Sequence, residues 1–187
     1  MRAADETIDA GDNLALVPRN PGDANEIFAL VEAYREELRR WLTWIDATRS
    51  AADVRRYAQF ARAQFEAMAS FDYAVVLDGA TVGAVGLHGF DWSSRRAEMG
   101  YWLAPPARGR GTMTRAAAAL TTYAFDRLRL HRLEIHCVVE NVPSRSVAVR
   151  LGYRLEGVMR QAYALHGEFR DLALYAMLVR EWSAPES

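Results

Sequence analysis

The stretch from residue 97 to residue 128 constrains the fold more than any other part of this 187-residue chain. A short apolar and aromatic run over residues 99–104 ends at a Pro-Pro pair and is followed by Arg108-Gly109-Arg110-Gly111 and then by apolar residues at helical spacing. The pattern predicts a strand, a glycine-rich turn and the first turn of a helix. Such a helix terminus leaves about four backbone N–H groups unpaired and carries about half a positive charge. The segment therefore predicts an anion site, and its arginines are forked donors suited to phosphate.

The composition limits the chemistry of this site. All 23 basic residues are arginine, which excludes a Walker-A lysine, a Schiff-base lysine and a lysine general base. A net charge of −1 gives no overall attraction to nucleic acid or anionic lipid, and no apolar run approaches the roughly 20 residues of a membrane span. The single cysteine, Cys137, excludes a disulfide within the chain and is expected in the core, and the four histidines show no metal-ligand spacing. We therefore expect a cytoplasmic protein with no metal, nucleic-acid or membrane partner.

The apolar patterning predicts an α/β fold. We expect a flexible tail over residues 1–12 and a single domain over residues 13–187. Alternating residues and turn signals predict six to seven strands, and helical spacing predicts about four helices, the first two capped by Asp23 and Ser50. Because helices lie between groups of strands that form hairpins, a mixed sheet with helices on its faces is expected.

A dinucleotide-binding fingerprint is the first alternative for the glycine turn. Gly109 and Gly111 supply two of its glycines, but the third expected position is Thr114. The acidic residue that should end the next parallel strand is matched only loosely, by Glu140. The dinucleotide match is therefore partial.

A set of motifs spread over about residues 13–182 resembles the GNAT superfamily of N-acetyltransferases, and more specifically its RimJ/RimL-type members. The segments are Leu38-Arg-Arg-Trp-Leu-x-Trp44, Gly100-Tyr-Trp-Leu, Arg108-Gly-Arg-Gly-Thr-Met113, Asn141-x-x-Ser144, Leu151-Gly-Tyr153 and Tyr175-Ala-Met-Leu-x-x-x-Trp182. The resemblance implies a GNAT fold, in which a mostly antiparallel mixed sheet is splayed at its centre. It also implies acetyl-CoA as the cofactor.

Carried over to this sequence, the resemblance assigns cofactor contacts to two segments and one further residue. The pyrophosphate contacts would come from Arg108, Gly109, Arg110, Gly111, Thr112 and Met113, the pantetheine contacts from Met99, Tyr101, Trp102 and Leu103, and one more contact from Asn141. Met113 departs from the family's usual Gly or Ala. Either the loop sits differently here or the methionine side chain points into the core.

The same resemblance implies two catalytic residues. Glu98 is the candidate base and would act through water, while N–H groups near Tyr101 and Leu103 would stabilise the oxyanion. The alternative for Glu98 is an exposed carboxylate paired with Arg96. Ser144 is the candidate donor to the leaving thiolate, since Ala148 replaces the tyrosine of many family members, and its alternative is a helix N-cap.

The acceptor side is expected at Trp41, Trp44 and Asp46, between the first two helices, although aromatic residues there could instead cap the core. The resemblance implies direct attack by a primary amine in a ternary complex. A protein N-terminal α-amine, as on a ribosomal protein, is the first expectation, and a small-molecule amine is the second. A non-catalytic acyl-CoA-binding module is the alternative of another class, and whether the chain forms a homodimer stays open.

Overall fold

The computed structural model describes residues 6–184, in which eight strands form one mixed sheet. The strands are β1 (Ile8–Asp9), β2 (Leu14–Pro18), β3 (Phe71–Leu77), β4 (Ala80–Asp91), β5 (Arg96–Leu103), β6 (Arg132–Val138), β7 (Arg154–Leu165) and β8 (Glu168–Leu178). Their order across the sheet is β1-β2-β3-β4-β5-β6-β8-β7, and every neighbouring pair is antiparallel except β5 and β6. The predicted mixed and mostly antiparallel sheet is confirmed, with one strand more than the upper number expected.

Five α-helices cover the sheet within residues 6–184. They are α1 (Ala24–Ala33), α2 (Arg35–Arg39), α3 (Ala51–Glu66), α4 (Thr112–Asp126) and α5 (Val142–Arg150). Ser50 caps α3 as predicted, since its hydroxyl accepts the Asp53 N–H. The predicted Asp23 cap is wrong: the chain enters α1 through a 3-10 turn, and the Asp23 side chain makes no cap hydrogen bond.

The extra strand lies in the segment that was expected to be a flexible tail. Ile8 and Asp9 pair with β2, and side chains on either side of them bind α4 through the Glu6–Arg127 and Asp12–Arg115 ion pairs, each at 3.0 Å. Part of the segment predicted as a flexible tail is therefore joined to the sheet and to the helix beside it, while residues 1–5 lie outside the described part. A two-residue strand is too short to produce an alternating pattern in the sequence.

The helices divide between the two faces of the sheet, as the side chains of β5 show. Met99 and Leu103 belong to the large core cluster that contains the buried residues of α4, whereas Trp102 packs against the smaller cluster formed with α1 and α3. Because successive residues of a strand point to opposite faces, β5 contributes side chains to both clusters. The strand that precedes the glycine loop is thus held from both sides.

Candidate active site

The sheet opens between β5 and β6. These strands pair only through Arg96–Glu98 and Arg132–Glu134, although β5 stays paired with β4 up to Leu103. The Ala104 N–H bonds to Val82 in β4, so by alternation the backbone groups of Met99, Tyr101 and Leu103 point the other way, into the opening. The predicted splay is present, and it leaves a free strand edge that an amide-containing arm could pair with.

The glycine loop places the N-terminus of α4 at the end of this edge. Gly109 and Gly111 have φ of 77° and 74°, a conformation that a residue with a Cβ adopts only at a cost, and Gly111 occupies the N-cap position without a side-chain cap. The buried Thr112 hydroxyl has no hydrogen-bond partner among residues 6–184. An uncapped helix terminus with an unpaired hydroxyl in its first turn fits a phosphate group.

The side chains of this loop take different positions. Met113 is 6% exposed and packs in the large core cluster, which settles the open question about it: the side chain points inward. The Arg108 guanidinium donates to the Leu103 carbonyl at 2.9 Å, and burial lowers its pKa. Arg110 is exposed and, within the described residues, has no ion pair, so its charge remains available to an anion.

One side of the opening carries charged groups, which we call the charged face: Glu98, Glu134 and His136. His136 Nδ1 lies 3.1 Å from Glu98 Oε2, and His136 Nε2 lies 3.0 Å from Glu134 Oε2. The hydrogen bond to Glu98 raises the pKa of His136 above its usual value. Arg96 pairs with Asp91 and Glu134 rather than with Glu98, so the alternative assigned to Glu98 does not describe this geometry.

The other side carries uncharged polar groups, which we call the neutral face: Tyr101, Cys137 and Ser144. The Ser144 hydroxyl lies 3.2 Å from the Cys137 sulfur, and the Tyr101 hydroxyl donates to the Ser144 carbonyl at 2.8 Å. Burial raises the pKa values of the Tyr101 phenol and the Cys137 thiol. This side therefore stays neutral in the physiological pH range.

Asn141, not Ser144, caps the N-terminus of α5. The Asn141 carboxamide oxygen accepts the Ser144 N–H at 3.2 Å, and Ser144 lies in the first turn of the helix. The N-cap alternative for Ser144 is therefore wrong, and its hydroxyl is directed to Cys137. Because the Asn141 carboxamide oxygen already accepts a helix N–H, a cofactor contact at Asn141 would use another of its polar groups.

The predicted acceptor residues lie between α2 and α3. The rings of Trp44 and Trp102 meet with centroids 5.8 Å apart, and Trp44 is 38% exposed. Asp46 is already paired with Arg39 through two hydrogen bonds of 2.7 and 3.0 Å, and the first of these lowers its pKa. The Trp41 backbone carbonyl accepts a hydrogen bond from Tyr163 in β7. The indole pair is open to a ligand, whereas the Asp46 charge is compensated.

Comparison with known proteins decides the family. A model of the acetyltransferase (GNAT) domain family matches residues 13–154. The YdaF protein of Bacillus subtilis (strain 168) is 33% identical over 178 residues, covering 94% of this chain and 97% of that protein. This chain belongs to the GNAT acetyltransferase family.

Two further relatives agree with a RimJ/RimL-type GNAT enzyme. The ribosomal-protein-serine acetyltransferase of Escherichia coli (strain K12) is 26% identical over 174 residues, covering 93% of this chain and 97% of that one. A structure of RimL, a ribosomal L7/L12 alpha-N-protein acetyltransferase in complex with coenzyme A, matches with a TM-score of 0.89 at 26% identity, covering 92% of this chain and 98% of that chain. The predictions of family, N-acetyltransferase class and coenzyme are confirmed.

The sequence reasoning missed His136 as a functional candidate in this GNAT enzyme. The alternation of apolar and polar residues in β6 puts His136 on the face opposite to Cys137. The spacing of two residues puts Glu134 on the same face as His136. What could not be seen was the parallel register that sets Glu98 opposite Glu134 and so brings His136 to Glu98. Within residues 6–184 no group of three or more His, Cys, Asp or Glu side chains could hold a metal ion, and no helix is long and apolar enough to cross a membrane.

Proposed function

We propose that this GNAT enzyme transfers the acetyl group of acetyl-CoA to the α-amine at the N-terminus of a protein. The observation that carries the proposal is the free edge of β5, which runs between a carboxylate at Glu98 and the uncapped N-terminus of α4 at Gly111. One end of this edge suits a phosphate and the other end suits an amine. The names of the ribosomal-protein relatives support a protein acceptor.

The cofactor would bind along the opening between β5 and β6. The α4 N–H groups, with Arg110 beside them, would hold its pyrophosphate, and the backbone groups of Met99 and Tyr101 would pair with the amides of its pantetheine arm. When bound, acetyl-CoA supplies an activated thioester carbonyl in the opening. The Arg108 bond to the Leu103 carbonyl would keep the loop joined to the strand.

The chain's own groups would then handle the protons and the charge. Glu98 would accept a proton from the acceptor amine through a water molecule, which gives the amine the lone pair it needs for attack. N–H groups of the free β5 edge would stabilise negative charge on the carbonyl oxygen. The Ser144 hydroxyl would donate a hydrogen bond to the departing sulfur. Because the amine attacks the thioester carbonyl directly and the C–S bond breaks as the thiolate leaves, no covalent enzyme intermediate is needed.

The indole pair favours an acceptor with an apolar side chain within the first few residues after its amine. Trp102, Gly100 and Glu98 are alternate residues on one face of β5. The Cα atoms of Trp102 and Glu98 are therefore about 13 Å apart along the strand. The first residues of an extended peptide span this distance.

An α-amine has a pKa of about 7.7–8.0 against about 10.4 for an alkyl amine, so a carboxylate base deprotonates it more readily. A cytoplasmic location, expected from the single cysteine, belongs to this proposal.

Release of free thiol from acetyl-CoA tests the proposal with matched acceptors. One peptide carries a free N-terminus and an internal lysine, a second has the same sequence with a blocked N-terminus, and spermidine is the third acceptor. We expect turnover only with the first. Turnover with spermidine alone would move the acceptor to small-molecule amines, and binding of acetyl-CoA without turnover of any acceptor would favour a non-catalytic acyl-CoA-binding module.

A further inference from the structure

His136 occupies the first position of β6 on the charged face beyond the last β5–β6 residue pair, Glu98 with Glu134. Its two ring nitrogens lie 3.1 Å from one of these carboxylates and 3.0 Å from the other. A neutral imidazole has one donor nitrogen only, so the ring donates to two ionised carboxylates at once only when it is an imidazolium. The ring is thus held by two strands at the point where they separate.

We infer that His136 is the positioning residue of Glu98: anchored by Glu134, it holds one oxygen of the Glu98 carboxylate in place. This inference rests on the proposed function, in which Glu98 is the base. The bond engages Oε2 of Glu98 and leaves Oε1, the oxygen 4.0 Å from His88 Nε2, to accept the proton. A base whose position is fixed before the amine arrives loses no free energy to ordering during the reaction.

The groups behind His136 extend this anchor. Arg132 donates to Glu134 at 2.7 Å and to Glu156 of β7 at 2.6 and 2.8 Å, and Arg96 of β5 lies 3.7 Å from Glu134. On β8, the residue directly opposite His136 is the uncharged Leu174. Glu134 therefore has cationic partners of its own, and the imidazolium is the cation closest to Glu98 among the described residues.

The absence of a side chain at Gly100 leaves room for the His88 imidazole beside Glu98. A Cβ at this position would lie 3.0 Å from His88 Nε2, close enough to force the imidazole to move. Gly100 and Glu98 lie on the same face of β5, one alternate position apart. The glycine therefore permits the His88 imidazole to lie 4.0 Å from Oε1, while Oε2 is held by His136.

Two substitutions separate the position of the His136 donor from its charge. In His136→Asn the amide nitrogen replaces Nδ1 and can still donate to Glu98 without a positive charge, whereas in His136→Gln the amide lies nearer to Glu134. We expect kcat to fall about tenfold in the first and about fiftyfold in the second, with the acid limb of the kcat profile shifted about one unit to higher pH in both. The KM for acetyl-CoA should stay within about twofold, because His136 lies away from the α4 N-terminus.

A control variant and an alternative variant distinguish a positioning role of His136 from a purely structural one. His131→Asn changes an exposed histidine in the same segment and should leave kcat and its pH profile unchanged. Should His136→Asn fail to fold, Glu134→Gln removes the anchor from the other side and should shift the acid limb in the same direction. An unshifted acid limb in every folded variant would overturn the inference.

A double-mutant cycle with Glu98→Gln distinguishes failure of this inference from failure of the proposed function. If His136 acts through Glu98, then His136→Asn causes no further loss of kcat in the Glu98→Gln background. Full additivity of the two losses would overturn the role of His136 and leave Glu98 as the base. Unchanged kcat in Glu98→Gln alone would overturn the proposed role of Glu98, and the inference with it.

Discussion

The two faces of the opening between β5 and β6 are built from the same strands and yet differ in charge and solvation. The charged face presents Glu98 and His136, whose side chains are 30% and 19% exposed. Cys137 on the neutral face is 4% exposed when the whole residue is counted. Strand alternation alone produces this difference, since His136 and Cys137 are consecutive residues. The Glu98 carboxylate and the Ser144 hydroxyl, which α5 places beside Cys137, therefore lie on different faces of the opening.

This separation assigns a different dependence on pH to each face. Desolvation raises the pKa values of Tyr101 and Cys137, so the neutral face keeps its protons as the pH changes. On the charged face, the Glu98 hydrogen bond raises the pKa of His136, so this side chain gives up its proton at a higher pH than a free histidine does. Substitutions on the charged face should alter pH profiles, and substitutions on the neutral face should alter rates without moving those profiles.

Substitution of the charged-face base should have the largest effect. Glu98→Gln removes the proton acceptor but keeps the size of the side chain, so we expect kcat to fall about 100-fold with an unchanged KM for acetyl-CoA. Steady-state kinetics at pH 7 measure both constants. Glu66→Gln, an exposed carboxylate on α3, is the control and should behave as wild type. Wild-type kcat in Glu98→Gln would remove the chemical distinction between the two faces.

Substitution on the neutral face should have a smaller effect on turnover. Ser144→Ala removes the hydrogen bond to the departing sulfur, and we expect kcat to fall about tenfold. The matched control is Ser146→Ala on the same helix, because the Ser146 hydroxyl is exposed and donates to the Val142 carbonyl. Equal kcat values for the two variants would show that the Ser144 hydroxyl serves the contact with Cys137 only.

Tyr101→Phe tests whether the neutral face also stabilises the opening. The lost hydroxyl donates to the Ser144 carbonyl and joins β5 to α5 across the gap, so the free energy of unfolding should fall by about 0.5–1.5 kcal/mol. Urea denaturation measures this change. No change in the midpoint would mean that the hydrogen bond contributes nothing and that packing alone holds the helix against the strand.

The smallest effect is the pH dependence of stability. Since the folded-state pKa of His136 is raised, its contribution is fully present below the unfolded value of about 6.5 and is lost as the pH rises through the folded value. The stability advantage of wild type over His136→Asn should therefore shrink between pH 6 and pH 9. Denaturation midpoints at these two pH values test it, and an advantage that is constant or grows would contradict the bond to Glu98.

The sequence predicted the fold better than it predicted the contacts of the charged face. The loop from Arg108 to Met113, the alternation of β6 and the Ser50 cap are local patterns, and local patterns determine where elements begin and which residues are buried. The pairing of Glu98 with His136 depends on the register between strands separated in sequence by all of α4. Register of this kind follows from tertiary packing and leaves no local signal.

The helix cap at α5 teaches the same lesson on a smaller scale. Asn141 and Ser144 are both favourable N-cap residues, and residue type alone does not choose between them. The choice falls to Asn141 because Pro143 suits the first turn of a helix, which places the cap before it and leaves the Ser144 hydroxyl unused by the helix. A side chain that the helix does not need is then available to Cys137 and to the opening.

The pH profile of kcat for wild type, Glu98→Gln and Ser144→Ala tests the central claim most directly. The claim is that the proton acceptor lies on the charged face and the hydrogen-bond donor to the leaving group lies on the neutral face. The account predicts that the acid limb disappears in Glu98→Gln and keeps its wild-type position, at a lower plateau, in Ser144→Ala. An acid limb that persists unchanged in Glu98→Gln, or that moves in Ser144→Ala, would contradict this division.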